Sequence, residues 1–266
     1  MKKSLPWIVT VVFALWAGSS LRVPEDKAGA FATQEFGRLP VVFNGRFQPL
    51  DSLARNSLLQ LREKQSALSK IGKDAKQIPA VEWLMEMMMN PVVADTRPVF
   101  RLDNPDLKGL LGLPLEKDEA KQSDGKHFAW NQIKPKLEEL QKEQKRIAAV
   151  DQSHRTPYDQ AVMRLWNGVG LYMRLQNTAQ PQNAGDWNSE LNTYISNVPA
   201  GVAAARAQQA GQPHDQAALD RLLRDLERFD AMSSLQPPLI VPPHHAEQAR
   251  DEWMRMGAAL MELARG

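Results

Sequence analysis

Asn44-Gly45 sits between two short runs of extended-favouring residues, Leu39-Pro-Val-Val-Phe43 and Arg46-Phe-Gln48, and it constrains the chain more than any other dipeptide in it. A type I′ turn needs positive φ at both central residues, which asparagine and glycine tolerate, so the segment predicts a tight β-hairpin. Pro49-Leu50-Asp51 follows at once, and Asp51 reads as the N-cap of a helix carrying Leu53, Leu58 and Leu61. A hairpin running straight into a helix makes a corner, with Arg46, Asp51 and Arg55 around it. Two readings of the corner stand. Asp51 caps the helix and pairs with an arginine, which fixes the turn; or the arginines face outward toward lipid phosphates or acidic loops of a partner.

Upstream, Lys2 and Lys3 precede an apolar run from Leu5 to Leu21, and Arg22, Glu25 and Asp26 follow it. The positive-inside bias then predicts a cytoplasmic N-terminus, with everything after Arg22 outside the cytoplasm. A helix over that run spans about 25 Å at 1.5 Å per residue, against a hydrocarbon core of roughly 30 Å. Trp16 suits an interfacial anchor, whereas Ala17-Gly-Ser19 is a tolerable signal-peptidase site, so anchor and cleaved signal both remain open. No second apolar run is long enough to span, which limits the chain to one pass. An extended linker of about 12 residues between Arg22 and Gln34 would let the corner reach the membrane surface.

Beyond the run, 43% hydrophobic and 24% charged residues describe an ordinary globular chain, and 266 residues allow a sizeable core. The net charge of +2, with basic residues dispersed among acidic ones, excludes a nucleic-acid footprint. With no cysteine, the chain holds no disulfide, no thiolate metal site and no Cys-x-x-Cys-His haem attachment motif.

The expected fold is mainly α: a membrane helix, a small α+β subdomain containing the hairpin, and an irregular helical bundle. The corresponding segments are 1–24, 25–114, a charged linker at 115–128, and 129–266. Pro79 suits the first turn of a helix to Met89 with Val81, Leu84, Met85 and Met88 on one face. Gly72 to Pro79 reads as a polar break before it, Pro98 to Asp103 as a short strand, and Asn104-Pro105 as a cap and first-turn pair. Further helices are expected over Asn131–Val150, from Thr156-Pro157, over Trp187–Val198 and Ala200–Ala210 with a break at Pro199, over Ala217–Met232, and over Ala246–Leu263. The proline-rich stretch Gln236 to His245 should run extended across the surface.

Chemistry-bearing clusters are few. His244-His245 is the only histidine cluster and the candidate haem or metal ligand, although adjacent side chains on an extended segment point to opposite sides. His127, His154 and His214 have no spaced partner, and Met85 to Met89 reads as core or partner packing. No nucleophile elbow or phosphate-cradling loop occurs, so the expectation is a protein that is not itself an enzyme and holds no cofactor or metal firmly.

The stretch Leu39-Pro40-Val41, Gly45-Arg46, Pro49-Leu50-Asp51, Leu53-Ala54-Arg55 resembles the opening of the soluble domain of system II cytochrome c assembly proteins, the bacterial haem-delivery and cytochrome c synthase family. Weaker likeness continues through Glu82-Trp83-Leu84, Pro98 to Leu102 and Leu110 to Leu113. The resemblance implies a single-pass protein of the inner membrane with its bulk on the periplasmic side. It further implies partnership with a polytopic cytochrome c assembly protein and with apocytochrome c, haem being held through the partner. That family's tryptophan-rich loop and haem-ligating membrane region do not occur here, which places them on a separate polypeptide or a continuation of the chain. The alternative is a membrane-anchored periplasmic scaffold unrelated to haem.

Overall fold

The computed structural model describes residues 5–20, 31–117, 123–243 and 252–265. The fold is mainly helical with small antiparallel hairpins. Helix α1 covers Leu5–Ser20, and its side chains from Trp7 to Ser19 are all exposed, Trp7 by 74% and Phe13 by 65%. Among the described residues no helix is long and apolar enough to cross a membrane.

Helix α2 (Thr33–Arg38) leads into the expected hairpin, β1 (Pro40–Phe43) paired with β2 (Arg46–Pro49) in the register Val42 to Phe47. Asn44 and Gly45 both have positive φ, 50° and 73°, as the turn chemistry requires. Helix α3 (Leu50–Arg62) follows without a connecting residue and ends at Glu63, itself left-handed at φ 59°. A second hairpin pairs β3 (Ser66–Leu68) with β4 (Gln77–Pro79), so the end of the expected polar break is a strand, anchored by buried Ala67 and Ile78.

Helix α4 (Ala80–Met89) starts where Pro79 predicted, but its buried face is Val81, Trp83, Leu84, Met87 and Met88. Met85 lies at the margin, because two helix faces rather than one meet neighbours. After the short α5 (Pro91–Ala94), strand β5 (Pro98–Arg101) pairs with β6 (His127–Ala129). The end of the expected linker at 115–128 is therefore structured. Lys108, buried in α6 (Pro105–Leu110), pins this loop by donating to the carbonyls of Leu115 and Gly125. Asn104 caps α6 by accepting from the Leu107 amide at 2.9 Å, as expected.

The long helix expected over Asn131–Val150 is divided. Pro135 removes an amide donor, and α7 (Trp130–Ile133) passes through a 3₁₀ turn at Lys134–Lys136 into α8 (Leu137–Ala148). Helix α9 (Pro157–Gln176) begins with the expected threonine cap, elaborated by Asp159 into a reciprocal capping box. It is the central element: Val162, Leu165, Val169, Tyr172 and Leu175 all lie in one buried cluster with Val41, Leu53, Trp83, Phe100 and Trp130. That cluster holds residues from both sides of the 115–128 segment.

A smaller cluster joins α10 (Trp187–Gln209), α11 (Gln216–Ser234) and α12 (Met256–Glu262) through Tyr194, Val198, Leu222, Phe229 and Leu260. Contrary to the expected break, Pro199 lies inside a continuous α10, because Tyr194, Val198, Gly201 and Ala204 on both sides of it are buried.

Candidate functional site

The corner forms, though not by the route expected. Pro49 occupies the N-cap position with φ −65° and ψ 152°, and Asp51 sits one residue inside the helix. The proline ring sets the entry angle by itself, which frees the carboxylate. Asp51 instead accepts from Arg55 Nε at 2.7 Å, one turn on, and its negative charge also complements the helix N-terminus. That hydrogen bond raises the Arg55 pKa further above its ordinary value. Arg46 is exposed on β2 and has no ion-pair partner among the described residues. The structure thus joins Asp51 to Arg55 and leaves Arg46 outward. Most of the motif is internal, since Val41, Leu50, Leu53, Ala54 and Leu58 are all buried.

The chain's own C-terminal part covers the other flank of the hairpin. Leu239 pairs with Val42 as an antiparallel bridge, its amide donating to the Val42 carbonyl at 2.9 Å and the Val42 amide returning the bond at 3.0 Å. The expected extended stretch therefore touches the free edge of the two-stranded sheet through this one bridge. Arg174, at the end of α9, closes this arrangement: Nε donates to the Gln236 carbonyl at 2.8 Å and Nη2 to Asn44 Oδ1 at 3.1 Å. Its guanidinium also lies 4.4 Å from the centre of the Phe43 ring. Burial, and then the charge of Arg255, lowers the Arg174 pKa. On β2, Phe47 meets Trp253 edge-on at 5.6 Å.

Sequence reasoning missed Arg174. The available signal was a single arginine in the run Leu171-Tyr-Met-Arg-Leu175, where every neighbour is apolar.

No described residue offers a built haem ligand. His244 and His245 lie outside the described residues. His127 Nδ1 is 2.7 Å from Asp124 Oδ2, His154 is exposed in a 3₁₀ turn, and His214 bonds Gln212 and Gln216 at the surface. Among the described residues no group of three histidine, cysteine or acidic side chains is placed to hold a metal ion.

An amphipathic cleft of about 400 Å³ lies between α3, β5 and α9, with Phe100, Leu61 and Gly168 lining its apolar part. At its margin Glu63 accepts from Arg101 at 2.5 Å and pairs loosely with Arg164 at 3.5 Å, while Asp103 accepts from Arg101 at 2.9 Å. These charges balance one another. A wider cleft of about 630 Å³ between α10 and α11 holds the Glu190–Arg228 pair at 2.6 Å, beside Asp225. In the second cleft Ser189 Oγ donates to Asp186 Oδ2 at 2.6 Å, a contact within the N-terminal cap of α10, where Asp186 also accepts from the Ser189 amide.

Comparison with known protein families and with curated proteins finds no match to this chain.

Proposed function

We propose that this chain is an accessory extracytoplasmic component of cytochrome c biogenesis, held at the inner membrane by α1 and docked through the Arg46–Arg55 face of the corner. Its role is to position exported haem or apocytochrome c beside a membrane-embedded synthase, not to carry out the ligation. The observation that carries the anchoring is α1 itself, whose Trp7, Ile8, Val12, Phe13, Leu15 and Trp16 are each more than half exposed. A contiguous apolar helix face of that kind requires a cover, and lipid is the cover that suits tryptophan near both ends. At 16 residues the described helix is about 24 Å long, shorter than the roughly 30 Å core, so snorkelling flanks or local thinning would accompany insertion.

The pathway assignment rests on the resemblance of the corner sequence. The division of that motif into a buried scaffold and an outward Arg46 supports a surface that meets something other than its own chain. A membrane-anchored scaffold unrelated to haem is the second reading, favoured by the Asp51–Arg55 pair, which ties the corner to its own helix.

Purification of the full chain from its native membranes separates the two. The haem reading expects a haem absorbance band or a co-purifying polytopic haem protein, lost on charge reversal at Arg46 and Arg55. If neither haem nor such a partner is recovered, the scaffold stands.

A further inference from the structure

Both arms of the first hairpin carry an exposed arginine beside an exposed apolar side chain. Arg38-Leu39 leads into β1 and Arg46-Phe47 opens β2, with Leu39 52% exposed and Phe47 42%. The register lays the arms side by side, Pro40 opposite Pro49 and Val42 opposite Phe47, and the Leu50 amide closes the base by donating to the Leu39 carbonyl at 3.0 Å. Side chains alternate along a strand, so Val41 and Phe43 enter the core while Pro40, Phe47 and Pro49 share the other face. Trp253 meets Phe47 edge-on at 5.6 Å. Arg38 and Arg46 form no ion pair among the described residues: Asp51 is taken by Arg55, and Glu35, one turn before Arg38, is not paired with it.

A single exposed apolar side chain is ordinary, and Val92, 78% exposed, and Leu223, 49% exposed, are of that kind. The hairpin rim differs in two ways. Each apolar side chain stands next to a cation with no acidic partner among the described residues, a combination that suits lipid phosphates and the acyl boundary beneath them. The rim also follows closely on the apolar helix. Ten residues, 21–30, separate Ser20 at the end of α1 from exposed Phe31, a reach of at most about 40 Å. With α1 inserted, a tether of that length presents the rim to the bilayer at an effective concentration on the order of millimolar, so a weak contact is enough. A protein partner would need far more surface, about 20–30 residues a side in a specific interface.

We propose that the rim formed by Arg38-Leu39 and Arg46-Phe47 rests in the headgroup layer of an anionic membrane. The two guanidinium groups donate to lipid phosphates, and Leu39 and Phe47 reach the top of the acyl layer. This deepens the docking stated above by naming lipid as what the corner meets, and it rests on the insertion of α1. Contact at both α1 and the rim fixes how the folded part stands on the bilayer, which a flexible tether alone does not.

The full chain is placed in nanodiscs of zwitterionic lipid, with or without anionic phosphatidylglycerol, doped with lipid spin-labelled at the headgroup. Methyl NMR signals of Leu39 report the rim, those of Ile8 and Val12 report α1, and those of Val92 and Leu223 control for exposure alone. In the anionic discs the Leu39 methyls should broaden together with those of α1, while Val92 and Leu223 stay sharp. Arg38→Gln and Phe47→Ser, both at exposed positions, should each lower the lipid-contacting fraction about fivefold, the scale of one surface arginine or of a partly inserted phenylalanine. Spectra without spin label verify that each variant keeps the fold. Leu39 methyls that broaden no more than those of Val92, while Ile8 and Val12 broaden, overturn the proposal alone and leave the rim to a polypeptide. Sharp Ile8 and Val12 signals overturn the anchoring and the proposal together. Leu39 broadening that is the same without anionic lipid and in Arg38→Gln also overturns it, because the arginines then contribute nothing.

Discussion

The guanidinium of Arg174 lies 4.4 Å above the ring of Phe43, joining the last turn of the central helix to the hairpin that opens the folded part of the chain. The same group binds Asn44 and the Gln236 carbonyl, so one side chain holds three segments that are far apart in sequence. Arg174→Ala should therefore destabilise the protein by about 1–3 kcal/mol, the sum expected for one cation–π contact and two hydrogen bonds to a charged donor. The loss should also be local. Hydrogen exchange at the Val42 and Leu239 amides, which form the bridge, should accelerate more than exchange in α4. Arg174→Lys keeps the charge but not the fork, and should recover only part of the protection. Equal acceleration throughout would mean that Arg174 acts on global stability and does not clamp the C-terminal segment.

Gly257 offers a second test, at the seam between α11 and α12. A Cβ there would stand 2.5 Å from the carbonyl oxygen of Phe229 and from Ser233 Oγ. The carbonyl belongs to a helix backbone and cannot turn aside, so Gly257→Ala should cost roughly 1–3 kcal/mol through overpacking, despite the better helix propensity of alanine. Alanine at exposed Gly170, also helical but with nothing within 4 Å, is the control and should stabilise or be neutral. Urea unfolding of the two variants gives the comparison directly.

The sequence held much of this fold and little of the candidate sites, for physical reasons that differ by element. Asn44-Gly45, Asn104-Pro105 and Thr156-Pro157 declare a turn and two helix starts because their chemistry is local: a positive φ, a side-chain acceptor and a ring-fixed φ act within three residues. Asp51 misled because Pro49, two residues earlier, performs the same task. The β5–β6 pair and the Leu239 bridge were invisible, since pairing partners 25 or more residues away leave no periodic mark on either strand. The hydrogen bonds of Asp95 were likewise hidden, because its partners Tyr172 and Gln176 lie 77 and 81 residues further along and only the packing of the chain brings α9 to it.

Asp95 supports a prediction in pH. Burial raises its pKa, a shift opposed by the hydrogen bonds from Tyr172 and Gln176 and by the charge of Lys134. The folded protein therefore binds a proton more tightly than the unfolded chain, whose aspartate titrates near about 4. Stability contributed by this group is present below that value and declines as pH rises through the folded-state pKa. Urea titrations of wild type and Asp95→Asn between pH 3 and pH 7 should show the wild type losing ground to the variant as pH increases. A difference that stays flat, or one that favours the wild type as pH rises, would mean that the hydrogen bonds outweigh burial.

Pro199 allows the sharpest contrast between local propensity and packing. Within α10 it removes one amide donor and sets its ring against the carbonyl of Ile195, a combination that costs about 3 kcal/mol in a helix interior. The helix nevertheless continues, because Tyr194 and Val198 before it and Gly201 and Ala204 after it are all buried. Gly201 packs so closely that a Cβ would lie 2.8 Å from Leu222 Cβ, which ties the second half of α10 to α11. Pro199 itself is exposed, so replacing it opens no cavity. Pro199→Ala should then restore the missing hydrogen bond and raise stability by about 1–3 kcal/mol, read as a higher urea midpoint with an unchanged slope. A drop in stability would mean that the bend imposed by the ring is what brings Tyr194 and Gly201 onto α11 together, and that the proline is required by the packing it interrupts.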